Sequence, residues 1–197
     1  IAKARGARVN AVASARNQEL LRELGADECL DYAKEDFARR EAAFDAILDL
    51  VPNRSFAQCR RALAPGGLVC TVTDSEEIIR RREPLSNYFP ESVAVELRRY
   101  PAIETLREMM TAAGFCDLCE VEVVQTTQLD DLRPYHERAH SSLMLIDDAA
   151  FERGLAKLQA DFDKGPVRKV SMYVLLWGRK ALPQGSRKAP PQGEQKP

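Results

Sequence analysis

The stretch that decides the fold is residues 44–73, FDAILDLVPNRSFAQCRRALAPGGLVCTVT. It begins with a strand at 44–51 whose inner residues are apolar, as expected of a strand covered by helices on both sheet faces. A helix at 55–64 follows and stops at Pro65-Gly66-Gly67, and a second apolar strand occupies 68–73. Strand, helix and strand at this spacing predict a parallel βαβ unit.

The chain before this unit follows the same alternation. It predicts strands at 7–14 and 28–32, a helix at 17–24 with Asn17 as N-cap and Gly25 as its stop, and a short helix at 36–43. In a Rossmann-like sheet these strands are the second and third, so we expect the first strand and its Gly-rich phosphate loop to precede Ile1. The second and fourth strands would then border a gap or pair directly. No G-x-G-x-x-G occurs in the sequence.

After Thr73 the regular alternation of strands and helices ends. A polar connection at 74–91 leads to predicted helices at 92–100, 102–113, 130–145 and 148–162, with strands at 118–125 and 168–177. A late strand pair that encloses helices predicts an antiparallel C-terminal edge on an otherwise mostly parallel sheet with helices on both faces. We therefore predict one Rossmann-like α/β domain over 1–181, with a nucleotide-binding half at 1–73, and a disordered tail at 182–197.

Composition narrows the class of protein. The 197 residues include 29 basic and 30 acidic side chains, for a net charge of −1, so no global field favours nucleic acid. No apolar run reaches the ~20 residues that span a bilayer. Five scattered cysteines indicate reduced thiols. These features predict a cytoplasmic protein with a small-molecule substrate and no nucleic-acid or membrane partner, and they leave the oligomeric state open.

Residues 1–73 resemble the nucleotide-binding half of the medium-chain dehydrogenase/reductase family, which includes zinc-type alcohol dehydrogenases and quinone reductases. The resemblance lies in AKARGARVNAVASARNQELLRELGADECLDYAKEDF, FDAILDLV and ALAPGGLV, and LGADECLDY matches the family's entry into its third strand. It implies binding of NAD(H) or NADP(H) and oxidoreductase chemistry.

Residues 55–180 are also similar to the C-terminal part of class I S-adenosylmethionine-dependent methyltransferases. The similarity lies in ALAPGG, NYFPESVAVELRRYPAIETLREMMTAAGF and RAHSSLMLIDDAAFERGLAKLQADF, followed by a closing strand. It implies S-adenosylmethionine as the alternative cofactor, a final antiparallel strand, and a helical lid over a methyl acceptor at 92–162.

The predicted cofactor residues follow the carboxyl ends of the strands, where ligands bind in open α/β sheets. The second strand ends in Ser14-Ala15-Arg16-Asn17 instead of the acid that favours NAD or S-adenosylmethionine, and a hydroxyl with a guanidinium suits the 2′-phosphate of NADP. A solvent-facing helix start explains these residues equally well. The full set of predicted contacts is Ser14, Arg16, Asn17, Leu50, Val51, Asn53 and Thr73.

Two patterns in the sequence are typical of metal sites. His136-Glu137-Arg138-Ala139-His140 has the H-E-x-x-H spacing, which requires both imidazoles on one helix face, and Cys116 and Cys119 have C-x-x-C spacing. The chain contains no third histidine and no second cysteine pair, so we predict no metal site. No catalytic residue is identified.

Three functions therefore remain. The first is an NADP(H)-dependent oxidoreductase-type nucleotide-binding domain, which this sequence favours narrowly. The second is a class I methyltransferase of a small molecule, and the third is a non-catalytic Rossmann-like module. Because neither cofactor finds a glycine loop in this sequence, we expect the chain to bind NADPH more weakly than ~1 μM.

Overall fold

The computed structural model describes residues 1–183, and the predicted disordered tail lies outside the described residues from 184 onward. It contains six strands in two sheets. The strands are β1 (Asn10–Ala13), β2 (Glu28–Asp31), β3 (Phe44–Asp49), β4 (Leu63–Thr73), β5 (Phe115–Leu129) and β6 (Val167–Lys180). The helices are α1 (Gln18–Glu23), α2 (Phe56–Ala62), α3 (Glu76–Arg81), α4 (Leu85–Tyr88), α5 (Glu91–Arg99), α6 (Ile103–Ala112), α7 (Arg133–His136) and α8 (Asp148–Phe162).

The smaller sheet is the parallel pair β1 and β2, joined by α1. Asn17 stands at the N-cap position, but its side chain makes no capping bond and a 3-10 turn, Ala15–Asn17, precedes the helix. Gly25 ends the helix with a φ of 89°, in the left-handed region that glycine adopts without strain. The helix predicted at 36–43 is wrong: Asp36 caps only one 3-10 turn, Phe37–Arg39.

The larger sheet has the order β3-β4-β6-β5. β3 and β4 are parallel and joined by α2, which begins at a capping box formed by Ser55 and Gln58. β4 begins at Leu63, before the predicted turn, and Gly67 is needed there because an added Cβ would lie 3.0 Å from the Asp45 carbonyl oxygen. The Rossmann-like α/β class of the chain is thereby confirmed.

The C-terminal strand β6 is antiparallel, as predicted, and it lies one strand inside the edge that β5 forms. The β5–β6 ladder runs from Phe115 opposite Lys180 to Leu129 opposite Val167, whereas β4 pairs with β6 only as far as Thr73 opposite Val174. The far half of β5 and β6 is therefore a two-stranded ribbon that extends beyond the sheet.

β1 and β3 are not hydrogen-bonded to each other, so of the two predicted arrangements direct pairing is wrong. Within residues 1–183 each keeps one free edge. In a Rossmann sheet of order 3-2-1-4-5, a second and a fourth strand flank the first. The free edges of β1 and β3 are those that such a first strand would pair.

The two faces of the larger sheet differ in what covers them. One face carries Val69, Leu176 and Phe115, which are buried with Cys59 of α2 and Met110 of α6 in the main core. Partners in register place one row on the opposite face: Leu48, Cys70, Trp177 and Cys119. Exposed apolar side chains recur on this face, at Leu48 (61%), Val121 (49%), Val123 (42%) and Tyr173 (45%).

A helical cap follows β4 and holds a second core. It is built from α3, α4, α5, α7 and α8 with a 3-10 turn, Ser141–Met144. The core of the cap contains Leu85, Phe89, Val95, Leu129, Leu132, Tyr135, Leu143, Ile146, Phe151, Leu158 and Val167. Leu129 and Val167 belong to the ends of the ribbon, so the ribbon joins the sheet to the cap.

The cap region differs from the sequence analysis in two places. The polar connection predicted at 74–91 contains the helices α3 and α4. The continuous helix predicted at 130–145 is wrong, because its residues form α7 and the 3-10 turn. Arg138, between the two, has a φ of 49° in the left-handed region, which no α-helix accommodates. None of the helices within residues 1–183 is long and apolar enough to cross a membrane.

Candidate functional site

The predicted cofactor residues at the end of β1 face solvent. Ser14 is half-buried, and its hydroxyl makes no bond to the helix that follows it. Arg16 and Asn17 are exposed, and Arg16 has no acidic partner among the described residues. A hydroxyl and a free guanidinium therefore lie close together in the chain at this strand end, where they are available to an anion.

The predicted residues at the ends of β3 and β4 lie on neighbouring strands. Leu50 and Val51 are 63% and 71% exposed, and Asn53 donates its backbone N–H to the Val51 carbonyl oxygen at 2.7 Å. Thr73 is buried and pairs with Val174 of β6. The structure thus places these four residues at the carboxyl ends of β3 and β4 in the larger sheet. Ser14, Arg16 and Asn17 belong to the smaller sheet.

A buried ion pair, which the sequence analysis missed, lies directly after β4. Asp74 is 3% exposed, and its Oδ2 lies 2.5 Å from Nη2 of Arg82, whose side chain is 18% exposed. Asp74 follows the last strand residue, and Arg82 follows α3, whose N-terminus is capped by the Ser75 hydroxyl. The short helix α3 therefore returns the guanidinium to the carboxyl end of the strand that carries its partner.

Three further polar side chains lie within electrostatic range of Arg82. Glu96 and Tyr100 come from α5 and its C-terminal end, and His140 precedes the 3-10 turn of the cap. Together with Asp74 and Arg82 we call them the buried polar cluster. It occupies the junction between the sheet and the cap.

The pKa shifts of the cluster's members show that these groups influence one another. Burial works against the charge of Arg82, but Asp74 and Glu96 outweigh it, so the pKa of the guanidinium is raised. Burial and the same two carboxylates raise the pKa of Tyr100. Burial, with the positive charges of Arg82 and Lys169, lowers the pKa of His140 despite an opposing effect of Glu96. Burial therefore favours the neutral forms of the His140 imidazole and the Tyr100 phenol.

Several buried polar atoms at this junction lack hydrogen-bond partners. They are Oδ1 of Asp74, Nη2 of Arg82 and Oγ of Ser142. The Asp74–Arg82 contact is thus close but not aligned as an N–H···O bond. Glu96 is 6% exposed and makes no ion pair or side-chain hydrogen bond among the described residues, but its carboxylate oxygens are not among these buried unpaired atoms and keep contact with solvent. Since buried polar groups in native proteins are nearly always paired, these atoms mark a place where a ligand's polar groups can bind.

The two patterns typical of metal sites do not form metal sites. His136 ends α7, is exposed and lies 3.4 Å from Oε1 of Gln159, whereas His140 packs against the Tyr135 ring. The two imidazoles do not share a helix face. Cys116 and Cys119 flank a register shift in β5, and both are exposed. Within residues 1–183 no three histidine, cysteine or acidic side chains are grouped so that they could hold a metal ion.

The sequence did contain a signal for the cluster. Asp74 directly follows a buried strand, at the position where ligands bind in α/β sheets. In the chain Arg82 stands among the acidic residues Glu76, Glu77 and Glu83, a pattern typical of a solvated face. Arg80 and Arg81 do pair with Glu76 and Glu77 on the surface, but Arg82 turns inward to Asp74.

Comparison with known proteins gives the family. The family model described as zinc-binding dehydrogenase matches residues 24–144, more than half of the chain, so the chain belongs to that family. The match begins later than the resemblance to dehydrogenases at 1–73 and extends through α5, α6 and all of β5 to the end of the 3-10 turn at Met144. No protein of curated function matches the sequence.

Solved structures with this fold include methyltransferases. A protein named as a methyltransferase of an antibiotic biosynthesis pathway, from Anabaena variabilis, is 16% identical with a TM-score of 0.55, over 89% of this chain and 83% of that one. One named as a methyltransferase from Bacillus halodurans is 13% identical with a TM-score of 0.48, over 88% and 83%. The YcgJ protein of Bacillus subtilis is 14% identical with a TM-score of 0.49, over 88% and 82%. The Anabaena protein shows the fold of the chain.

Proposed function

We propose that this chain is the acceptor-binding part of an S-adenosylmethionine-dependent methyltransferase that acts on a small molecule. The observation that carries the proposal is the buried polar cluster, which lies between the carboxyl end of β4 and the helical cap. Its unpaired buried atoms suit a polar substrate, and the cap shields that substrate from water. Transfer of a methyl group depends mainly on placing the acceptor atom in line with the donor, which such a compartment can do.

The strand order supports this function over the first alternative. The antiparallel strand β6 lies between β4 and β5, and its ribbon supports one side of the cap. A continuing parallel dehydrogenase sheet has no such antiparallel strand, whereas the resemblance to methyltransferases implies a final antiparallel strand. Because many functions share one fold, the strand order supports the proposal and the polar cluster carries it.

The residues expected to bind the methyl donor suit S-adenosylmethionine only in part. Leu50 and Val51 offer exposed apolar surface beside the Asn53 amide, which suits an adenine ring. No carboxylate follows β1, where an acid would accept hydrogen bonds from the ribose hydroxyls, because Ser14 occupies that position. Asp49 at the end of β3 is half-buried under α2, and burial raises its pKa. We therefore derive no chemical step through the donor.

An NADP(H)-dependent oxidoreductase is the second candidate. Membership in the zinc-binding dehydrogenase family favours it, and so does the free guanidinium of Arg16 next to Ser14 at the end of β1. Arginine beside a hydroxyl is the expected partner of a 2′-phosphate. The zinc that the family name implies has no fitting set of ligands in residues 1–183, so no step is derived through a metal.

The experiment is a pair of titrations of the full chain, one with S-adenosylhomocysteine and one with NADPH, followed by chemical shifts of the labelled protein. Arg16→Ala removes the only predicted cationic partner of the 2′-phosphate, and Leu50→Asp disturbs the adenine surface that both cofactors would use. We expect S-adenosylhomocysteine to shift resonances at residues 49–53, and we expect Leu50→Asp but not Arg16→Ala to abolish those shifts.

The opposite pattern favours the oxidoreductase. If NADPH binds, S-adenosylhomocysteine does not, and Arg16→Ala weakens NADPH at least about tenfold, the methyltransferase proposal is wrong. Absence of any shift with either molecule contradicts both candidates and leaves the non-catalytic module. Exposed Arg5→Ala, which lies in the 3-10 turn before β1, is the matched control for Arg16→Ala.

A further inference from the structure

We propose that β5 is the interface between two copies of this chain, whose β5 strands pair antiparallel and join the two larger sheets edge to edge. The interface goes beyond the proposed function and does not depend on it, because it concerns a strand edge and no ligand. It rests on the exposure, the length and the charge pattern of residues 119–128, which we call the open edge segment.

The open edge segment leaves one side of β5 without a partner. Among the described strands β5 pairs with β6 alone, and every residue of the segment is exposed. The outward backbone N–H and C=O groups of the segment therefore have no strand to bond. β1 and β3 also keep a free edge, but they have four and six residues, whereas β5 has fifteen.

The open edge segment lacks the usual protection against pairing. Natural edge strands avoid it with lysine, proline, a bulge or short length. The segment reads CEVEVVQTTQ and contains no lysine, arginine or proline, and the register shift of β5 ends where the segment begins, at Cys119. Its valines and threonines favour extended backbone. These features indicate an edge that another strand covers.

Charge restricts the register in which two copies can pair. Glu120 and Glu122 are the only charged residues of the open edge segment. A twofold axis at Val121 or at Glu122 would set carboxylates directly opposite each other, which destabilises a strand pair. An axis at Val123 would set Glu122 against Val124, which offers no hydrogen-bond donor. These three registers are therefore unfavourable.

An axis at Val124 makes the open edge segment complementary to itself. Val124 then faces Val124 of the second copy, Glu122 faces Thr126, and Glu120 faces Gln128. Each carboxylate in the first half of the segment meets a hydroxyl or amide donor in the second half. An axis further along the strand would pair fewer residues. This match of acceptors with donors identifies a second copy as the partner.

A cleft beside the open edge segment leaves room for this arrangement. It has a volume of about 400 Å³ and is lined by Thr126, Thr127, Gln128, Pro166 and Arg168. Arg168 pairs with Gln128 across the ribbon, and its side chain is 63% exposed. In the proposed register Glu120 of the second copy lies opposite Gln128, so its carboxylate adjoins the cleft that holds this guanidinium. Arg107 of α6 binds Oε2 of Glu120 at 2.8 Å and leaves Oε1 for the partner.

The test reverses charge at one position of the full chain. Sedimentation velocity over a range of concentrations gives the dissociation constant of the dimer. Thr126→Glu sets a carboxylate opposite Glu122 at both symmetric contacts, and we expect it to weaken the dimer about tenfold. Thr126→Lys sets an ammonium group there instead and should leave the dimer as tight as the parent or tighter. Glu122→Lys added to Thr126→Glu should restore the parent value.

Cross-linking locates the twofold axis. In a chain that carries Cys116→Ser and Cys119→Ser, Val124→Cys places the two introduced thiols opposite each other, where Cβ atoms lie about 5 Å apart. A short bismaleimide should then link the two copies. Gln128→Cys is the matched control, because its two thiols are offset by eight residues along the strands, or about 27 Å, and should not be linked.

Three results would overturn the proposal. One is a monomer at every concentration, and another is an equal dissociation constant for Thr126→Glu and Thr126→Lys. The third is cross-linking through Gln128→Cys but not through Val124→Cys. Association that persists unchanged in Thr126→Glu places the contact on another surface and rejects pairing through β5. Far-ultraviolet circular dichroism equal to that of the parent establishes that each variant is folded.

Discussion

Asp74 and Arg82 are each costly to bury alone, and together they form the ion pair at the junction of sheet and cap. Replacing Arg82 with methionine leaves the Asp74 carboxylate buried without its cation. We expect Arg82→Met to lower the free energy of unfolding by about 3 kcal/mol in urea denaturation, because single removals from buried pairs cost this much. Adding Asp74→Asn should restore most of the loss.

The exposed pair Arg80–Glu76 is the control for this prediction. Its atoms lie 2.7 Å apart, but both side chains are more than half exposed. Arg80→Met should change the free energy of unfolding by no more than about 0.5 kcal/mol. Equal losses in the two variants would contradict the distinction between buried and surface pairs.

The histidines provide a prediction about pH. The pKa of His140 is lowered from 6.5, by burial first and then by Arg82 and Lys169. Below pH 6.5 the unfolded chain binds a proton at this site before the folded chain does, so stability present above pH 6.5 is lost as pH falls through the folded pKa. His140→Gln should make the urea midpoint fall less between pH 7.5 and 5.5.

His136→Gln is the matched control, because His136 is exposed and is the only other histidine of the chain. It should leave the pH dependence of the urea midpoint as it is in the parent chain. A steeper fall for His140→Gln than for the parent would reverse the sign derived for its pKa.

The sequence predicted the position of the site better than it predicted the roles of individual residues in it. The end of β4 could be placed from the sequence, since an apolar strand stops at Thr73. The cluster itself joins Asp74 to His140 across 66 positions, and burial of Glu96 depends on how the cap folds over the sheet. Charge patterns along the chain could not separate Arg82 from Arg80 and Arg81, because only tertiary structure decides which one turns inward.

At the scale of elements, long periodic segments were predictable and short ones were not. α8 occupies the predicted range 148–162, and Asp147 caps it through a bond from the Ala150 N–H. α4 and α7 have four residues each and are not stable as isolated helices. Their side chains Leu85 and Tyr135 hold them through the core of the cap, which no local pattern reveals.

Gly154 tests the packing of α8 against α4. An added Cβ would overlap the Tyr88 carbonyl oxygen and the Phe89 ring. In an exposed helix, glycine to alanine stabilises by about 1 kcal/mol. Here we expect Gly154→Ala to destabilise by about 2 kcal/mol, because overpacking a filled core outweighs helix propensity. Thermal unfolding measures the effect.

Glu152→Ala supplies the comparison for Gly154→Ala, since Glu152 is exposed on the same helix. It should change the melting temperature little. A higher melting temperature for Gly154→Ala would mean that α8 and α4 are less closely packed than their contacts indicate.

At the scale of the whole molecule, the surface that we expect to govern association between copies is the apolar face and open edge of the larger sheet. Val121 and Val123 lie on β5, which pairs with β6 alone among the strands of residues 1–183, and Tyr173 lies beside Val123. Exposed apolar edge strands promote association between copies. We expect the sedimentation coefficient of the chain to rise with concentration, and the pair of changes Val121→Lys and Val123→Lys to reduce that rise.

The pair Thr126→Lys and Gln128→Lys adds the same two charges to the same strand without removing apolar surface, and it serves as the control. If it reduces association as much as the valine changes do, then net charge and not the apolar face governs association.

The ribbon of β5 and β6 determines how the cap can move against the larger sheet. Its two strands run unbroken from the sheet to the core of the cap, where Leu129 and Val167 are anchored. A hinge motion of the cap would have to bend this two-stranded, hydrogen-bonded ribbon. The cap and the larger sheet are therefore expected to move as one rigid body.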